Sequence, residues 1–266
     1  MGHPNDLMEI PQPEAEALLK ASGTVVIPTG SVEQHGPHLP CGTDWYAALV
    51  FSRAAAERLG ALVVPFAPMG ITPFHMGFAG SLTLRHETFV AIMLDVAASV
   101  ARHGARRLII LNWHEGNSDA IGVAASRIHS ELGLEVIRVE ACYVARDLVG
   151  AETGGLTHGG ELEVLPVLAL DPSLVHLERA TNASPPGRGR RIDAVRRNPN
   201  VRPVLDDVRQ IAPTGWYGAP EHATEEKARR VIDVVAERIA ADVEEASAAM
   251  AELPDPPTSG ADGVES

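Results

Sequence analysis

Residues 30–44 read G-S-V-E-Q-H-G-P-H-L-P-C-G-T-D, which gathers Glu33, His35, His38 and Asp44 in one short stretch. Carboxylate oxygen together with imidazole nitrogen is a donor set that suits Zn, Mn or Fe better than an all-oxygen shell would. Gly30, Gly36, Pro37, Pro40 and Gly42 exclude a long regular element here, so the stretch is expected to be a loop. In an extended loop Glu33 and His35 can turn toward one centre, and Asp44, after a turn, has both oxygens free to bridge two ions. Further potential ligands stand in N-W-H-E-G-N at 112–117, with His114 and Glu115, and in H-G-G-E-L-E at 158–163, with His158, Glu161 and Glu163. Acids and histidines in loops are more often solvated or capping groups, and Glu161 and Glu163 would also complement a helix N-terminus. No G-x-S-x-G surrounds a serine, and no glycine fingerprint for phosphate precedes a helix.

The elements that must position these residues alternate. Apolar runs at 24–28, 61–66, 107–112 and 134–139 predict strands, and their continuous character suits a parallel sheet covered on both faces. Helices are expected at 45–59, 87–103 and from 118 to Gly133. Gly60, Gly104 and Gly133 stop them, Asn117 or Ser118 caps the third, and Phe89, Ile92, Met93, Val96 and Val100 share one face of the second. Strand, helix, strand in this rhythm predicts right-handed crossovers, and ligands of such sheets bind beyond the carboxyl ends of the strands. Glu33 and His35 follow one strand end and His114 another, so separate motifs fall on one sheet edge. The reading continues with a Gly/Pro-rich loop at 67–84, where His75, Met76 and Phe78 are expected to line a pocket that Trp216 and Tyr217 could cover. A helix is expected at 162–170, an exposed basic excursion at 182–200, a strand within 201–211 and an amphipathic helix at 224–250. Residues 1–13 read as a loosely held arm, and 253–266 as a disordered tail.

The chain of 266 residues carries a net charge of −13, which argues against nucleic acid or an anionic membrane as the main partner. No apolar run reaches the length of a membrane span. Cys41 and Cys142 make no disulfide framework. With no signal-peptide pattern at the start, a reducing cytoplasm is the expected compartment.

The motifs together resemble the signature of the creatininase (creatinine amidohydrolase) family of metal-dependent hydrolases. The residues that carry the likeness are E-Q-H-G-P-H-L-P at 33–40 with T-D at 43–44, G-F-A-G-S-L-T-L at 77–84, N-W-H-E-G-N and H-G-G-E-L-E, in the family's order over about 24–177. The resemblance implies an α/β fold, a single three-layer αβα domain with a mostly parallel sheet, here spanning 1–252. It also implies a two-metal centre: Glu33, Asp44 and His114 would hold one ion, and His35 with the other oxygen of Asp44 the second. Such ions sit roughly 3.5–4 Å apart. Creatininase itself completes the second site with a glutamate two residues after the histidine matching His114, where this chain has Gly116; Trp113 stands where glycine is usual. Glu115 could ligate, act as a base, or cap the helix that follows. His158 matches the histidine thought to assist proton transfer. Glu163 matches a glutamate that binds metal or orients a ligand.

The implied activity is hydrolysis of a C–N bond in a small cyclic or linear amide, with two Zn or Mn ions (Fe is also compatible) lowering the pKa of a water from about 15.7 toward 7. His158 or Glu115 would carry the proton to the leaving nitrogen. Formamides, a peptide bond near a C-terminus and a cyclic ketone are alternative substrates, and Gly116 and Trp113 favour a relative of creatinine over creatinine. A non-catalytic protein that binds metal or a small ligand is the competing class. The resemblance also implies a homo-oligomer, commonly a hexamer.

Overall fold

The structure, a computed structural model, describes residues 3–184, 186–198 and 200–254. Four parallel strands, β1 (Thr24–Thr29), β2 (Leu62–Val63), β3 (Arg107–Asn112) and β4 (Glu135–Glu140), form one sheet in the order β2-β1-β3-β4. Helix α1 (Gln12–Ser22) precedes the sheet, and α2 (Thr43–Leu59), α3 (His86–Arg102) and α4 (Ser118–Leu132) are its crossovers. Helices α5 (Ala141–Val149), α6 (Glu161–Leu170), α7 (Pro186–Arg196) and α8 (Glu225–Ala251) follow it.

Strands β1, β2 and β3 are buried, and side chains that alternate across the pleat enter opposite faces, while β4 is only partly covered. The register pairs Val26 with Ile109 and Ile27 with Ile110. Val26, Ile109 and Leu111 enter a core with α2, α5, α6 and α8, while Val25, Ile27, Leu108 and Ile110 enter a second core with α1, α3 and α4. The three-layer αβα expectation therefore holds. Gly60 ends α2 in the left-handed region, φ 58°, with its N–H on the Ala56 carbonyl.

Several local expectations do not hold. The second strand shrinks to Leu62–Val63, with Val64 N–H adding one further bond to the Val26 carbonyl before Pro65. The N-terminal arm is not loose: Val63 N–H donates to the Asn5 carbonyl at 2.8 Å and Leu7 N–H to the Val63 carbonyl at 3.0 Å. Asp6 is buried there and accepts from Arg53 Nε and Nη2 at 2.9 and 2.6 Å. Asn117 does not cap α4; its side chain accepts from Ile71 N–H and donates to the Gly30 carbonyl, tying two loops at 2.9 Å each. Segment 201–211 holds a 3-10 turn, Val208–Gln210, in place of a strand. Segment 182–200 holds α7 and turns charged side chains inward. Helix α5 has no counterpart in the sequence reading. Of the tail expected to be disordered, residues 255–266 lie outside the described residues. Among the described residues no helix is long and apolar enough to cross a membrane.

Candidate metal centre

The carboxyl ends of the strands supply the site. The loop after β1 carries Ser31, Glu33, Gln34 and His35, and the first turn of α2 carries Asp44. The loop after β2 brings Thr72 and His75, and the turn after β3 brings His114. His158 lies just before α6 and Glu163 in its first turn. Asp44 thus sits on a helix, where its backbone is fixed, and not in the expected loop. Glu33, His35, Asp44, His114, His158 and Glu163 are all buried. Among the described residues they form metal-capable groups Glu33–Asp44–His114, His35–Asp44–Glu163 and Glu33–His35–His158, with donor atoms in each within 4.8 Å of one another.

Backbone carbonyls turn the imidazoles. A carbonyl only accepts, so a ring nitrogen bonded to one must carry the proton. Nδ1 of His35 donates to the Glu33 carbonyl at 3.1 Å, Nε2 of His114 to the Ile71 carbonyl at 3.0 Å, and Nε2 of His158 to the Gln34 carbonyl at 2.7 Å. In its neutral form each ring then presents a bare lone pair to the acids. Nε2 of His35 is buried without a hydrogen bond, yet stands 3.2 Å from Asp44 Oδ1 and 3.6 Å from Glu163 Oε2. Nδ1 of His114 is 2.9 Å from Asp44 Oδ2 and 3.5 Å from Glu33 Oε2. Lone pairs facing carboxylates call for a cation between them, which is the arrangement that fits a divalent ion. The carboxylates are themselves oriented: Ser31 Oγ donates to Asp44 Oδ2 at 2.8 Å, Thr72 Oγ1 donates to Glu33, and Gly159 N–H donates to Glu163 at 2.5 Å.

Without metal the cluster holds protons. Burial acts to lower the His35 and His114 pKa values, but Asp44 and Glu163 beside His35 raise it to about 10, and Glu33 and Asp44 beside His114 raise it to about 9. Burial pushes the Glu163 carboxyl up to about 8, with Asp44 adding to the push and His35 opposing it. Burial also acts upward on Asp44, yet His35 and His114 hold it well below the usual carboxylate range.

Glu115 is not brought to this cluster. Its carboxylate accepts from Arg196 Nη2 at 2.8 Å, Arg197 Nε at 2.8 Å and Tyr143 Oη at 2.5 Å. Burial acts upward on that carboxyl, but the Arg197 and Arg196 guanidiniums hold it well below its ordinary value. Asp193 shares both arginines and accepts from Tyr217 Oη at 2.6 Å. Glu115, Tyr143, Arg196, Arg197, Tyr217 and Phe74 wall a cavity of about 450 Å³ whose floor includes Glu33, Asp44, His114, His158 and Glu163. His75 and Tyr217 line it as expected; Met76 is half exposed, and Phe78 packs in a small core with Tyr217, so neither lines it. Trp216 is fully buried against His38, ring centroids 4.5 Å apart, and does not cover the pocket. His38 fixes a loop, with Nε2 donating to the Gly159 carbonyl at 2.8 Å. The sequence reading missed Ser31, Gln34 and Thr72. All are loop residues, and a loop has no period to say which side chains point inward.

A three-layer αβα scaffold with buried acids and imidazoles at its strand ends defines a hydrolytic enzyme equipped for divalent ions. The family model described as creatinine amidohydrolase matches residues 8–243, and the chain belongs to the creatininase family. It is 31% identical to the mycofactocin precursor peptide peptidase of Mycobacterium ulcerans (strain Agy99) over 78% of this chain and 79% of that one. It is 31% identical to the creatinine amidohydrolase of Pseudomonas putida over 87% of this chain and 93% of that one. A Mn form of creatininase superposes with a TM-score of 0.75 at 26% identity, covering 91% of this chain and 98% of that one. A creatininase mutant of Zn-Zn type does so with the same score and identity, covering 90% and 97%.

Proposed function

We propose that this protein is an amidohydrolase that cleaves a C–N bond of a small cyclic or linear amide, working with two divalent ions, Zn or Mn, as a homo-oligomer on the family's pattern. The observation that carries this reading is Asp44: one oxygen faces His114 and the other His35, so one carboxylate serves two donor groups. Glu33, Asp44 and His114 would hold one ion, and His35, Asp44 and Glu163 would hold the other, with Glu163 in place of the glutamate absent at Gly116. When bound, the ions polarise the scissile carbonyl and acidify water.

The protein's own groups supply the rest. Nδ1 of His158, bare and inward, takes a proton from the attacking water and returns it to the leaving nitrogen as the C–N bond breaks. Glu115 neither ligates nor acts as base in this reading, because its charge is spent on Arg196 and Arg197; it holds the pocket wall. A peptide amide is the second substrate class, favoured by likeness to the peptidase relatives. The test is a panel of lactams, formamides and short peptides offered to Zn- and Mn-loaded protein. Turnover that a chelator abolishes and that His158→Ala lowers about 10²–10⁴-fold with metal retained supports the reading. Metal retention without any turnover would favour a non-catalytic binding protein.

A further inference from the structure

His75 and His158 lie side by side at the pocket floor, ring centroids 4.4 Å apart. Gln34 governs both. Its Oε1 accepts from Gly36 N–H at 3.1 Å, and its Nε2 donates to the Gly215 carbonyl at 2.6 Å. A backbone N–H only donates and a carbonyl only accepts, so these contacts fix which end of the amide is nitrogen. The second amide proton faces two ring nitrogens, His75 Nδ1 and His158 Nε2, each 3.1 Å away. His158 Nε2 is closed to it, because that atom carries the proton given to the Gln34 carbonyl. His75 Nδ1 must therefore accept, and the neutral His75 ring keeps its proton on Nε2. The two rings are the same tautomer turned opposite ways. His75 presents Nε2–H 3.5 Å from Glu33 Oε1, while His158 presents bare Nδ1 3.9 Å from the same oxygen.

We infer that Gln34 is a positioning residue that assigns the two rings opposite tasks: His158 receives a proton, and His75 donates a hydrogen bond to the substrate oxygen on which negative charge grows. This rests on the hydrolytic reading of the pocket and makes His75 a further catalytic residue. Removing one such donor from a preorganised site commonly costs 10²–10³-fold in kcat.

The experiment uses the full chain loaded with Zn and labelled with ¹⁵N at histidine. Long-range ¹H–¹⁵N spectra, assigned by the signals lost in His75→Gln and His158→Gln, show Nε2–H and bare Nδ1 for both rings in the wild type. In Gln34→Glu the amide donor becomes an acceptor oxygen; the His75 proton moves to Nδ1 and His158 keeps its tautomer. On a substrate from the amide panel, His75→Ala lowers kcat about 10²-fold, with KM and zinc content near wild type. Gln34→Glu lowers kcat although the His75 ring is still present. An Nδ1–H His75 in the wild type, or full kcat in His75→Ala, overturns the inference. A wild-type protein that turns over no amide overturns the hydrolytic reading and with it the task given to His75, whereas the spectra still uphold or overturn the control by Gln34.

Discussion

Gly116 shapes the site through the side chain it lacks. A Cβ there would stand 2.1 Å from the Ile71 carbonyl oxygen and 2.5 Å from His114 Nε2, on top of the hydrogen bond that turns His114 toward the acids. This also explains why a glutamate at 116 has no room here. Gly116→Ala is expected to weaken zinc binding about 10–100-fold, as losses of ligand-orienting contacts do, measured by competition with a chelator. The shared carboxylate makes a sharper forecast. Asp44→Asn should leave neither ion bound, whereas Glu163→Gln should leave one per chain, counted by elemental analysis. Two ions retained in Asp44→Asn would refute the assignment.

At the scale of elements, α7 is held by a distant partner. Arg196 and Arg197 reach Glu115 across 81 and 82 positions of sequence. Hydrogen bonds to a charged group contribute about 1.5–3 kcal/mol each, so Glu115→Gln should loosen the wall without touching the cluster. The expected result is faster proteolysis within 186–211 and a KM raised more than kcat is lowered, at unchanged zinc content. This contact also shows where sequence reading stops. The L-I-I-L run of β3 and the Phe89–Met93–Val100 stripe of α3 announce themselves because neighbours in sequence share one environment. The basic stretch around α7 looks solvated because nothing local says that Glu115 balances it. The arm at 3–10 misleads in the same way, since Arg53 is what makes burial of Asp6 tolerable. Of the site, Glu33, His35 and His114 are legible as ligand types following strand ends, and Asp44, His158 and Glu163 through the motifs that carry the resemblance, whereas Gln34 and Thr72 have meaning only once the loops are folded.

For the whole molecule, metal and protons compete for one set of atoms. His35, His114 and Glu163 all have pKa values raised in the metal-free fold, to about 10, 9 and 8. A raised value means the folded state binds more protons than the unfolded one, so stability from these groups is full below their unfolded values and is lost as pH rises through 8 to 10. The Tm of metal-free protein should therefore fall over that window. Metal uptake must expel these protons, so the gain in Tm on adding zinc should grow as pH rises, and proton release should accompany binding in a weakly buffered titration. A gain in Tm that shrinks with rising pH would contradict this.

The seal that residues 5–7 place along Val63 reaches beyond local packing. A border strand with free amides and carbonyls can dock on its twin in another copy and continue one sheet through both. Here that row is already taken by the chain's own start. If copies of this protein associate, helix faces or the opposite border at β4 are the surfaces left to join them. Removing the first seven residues should expose a sticky margin, visible as aggregation.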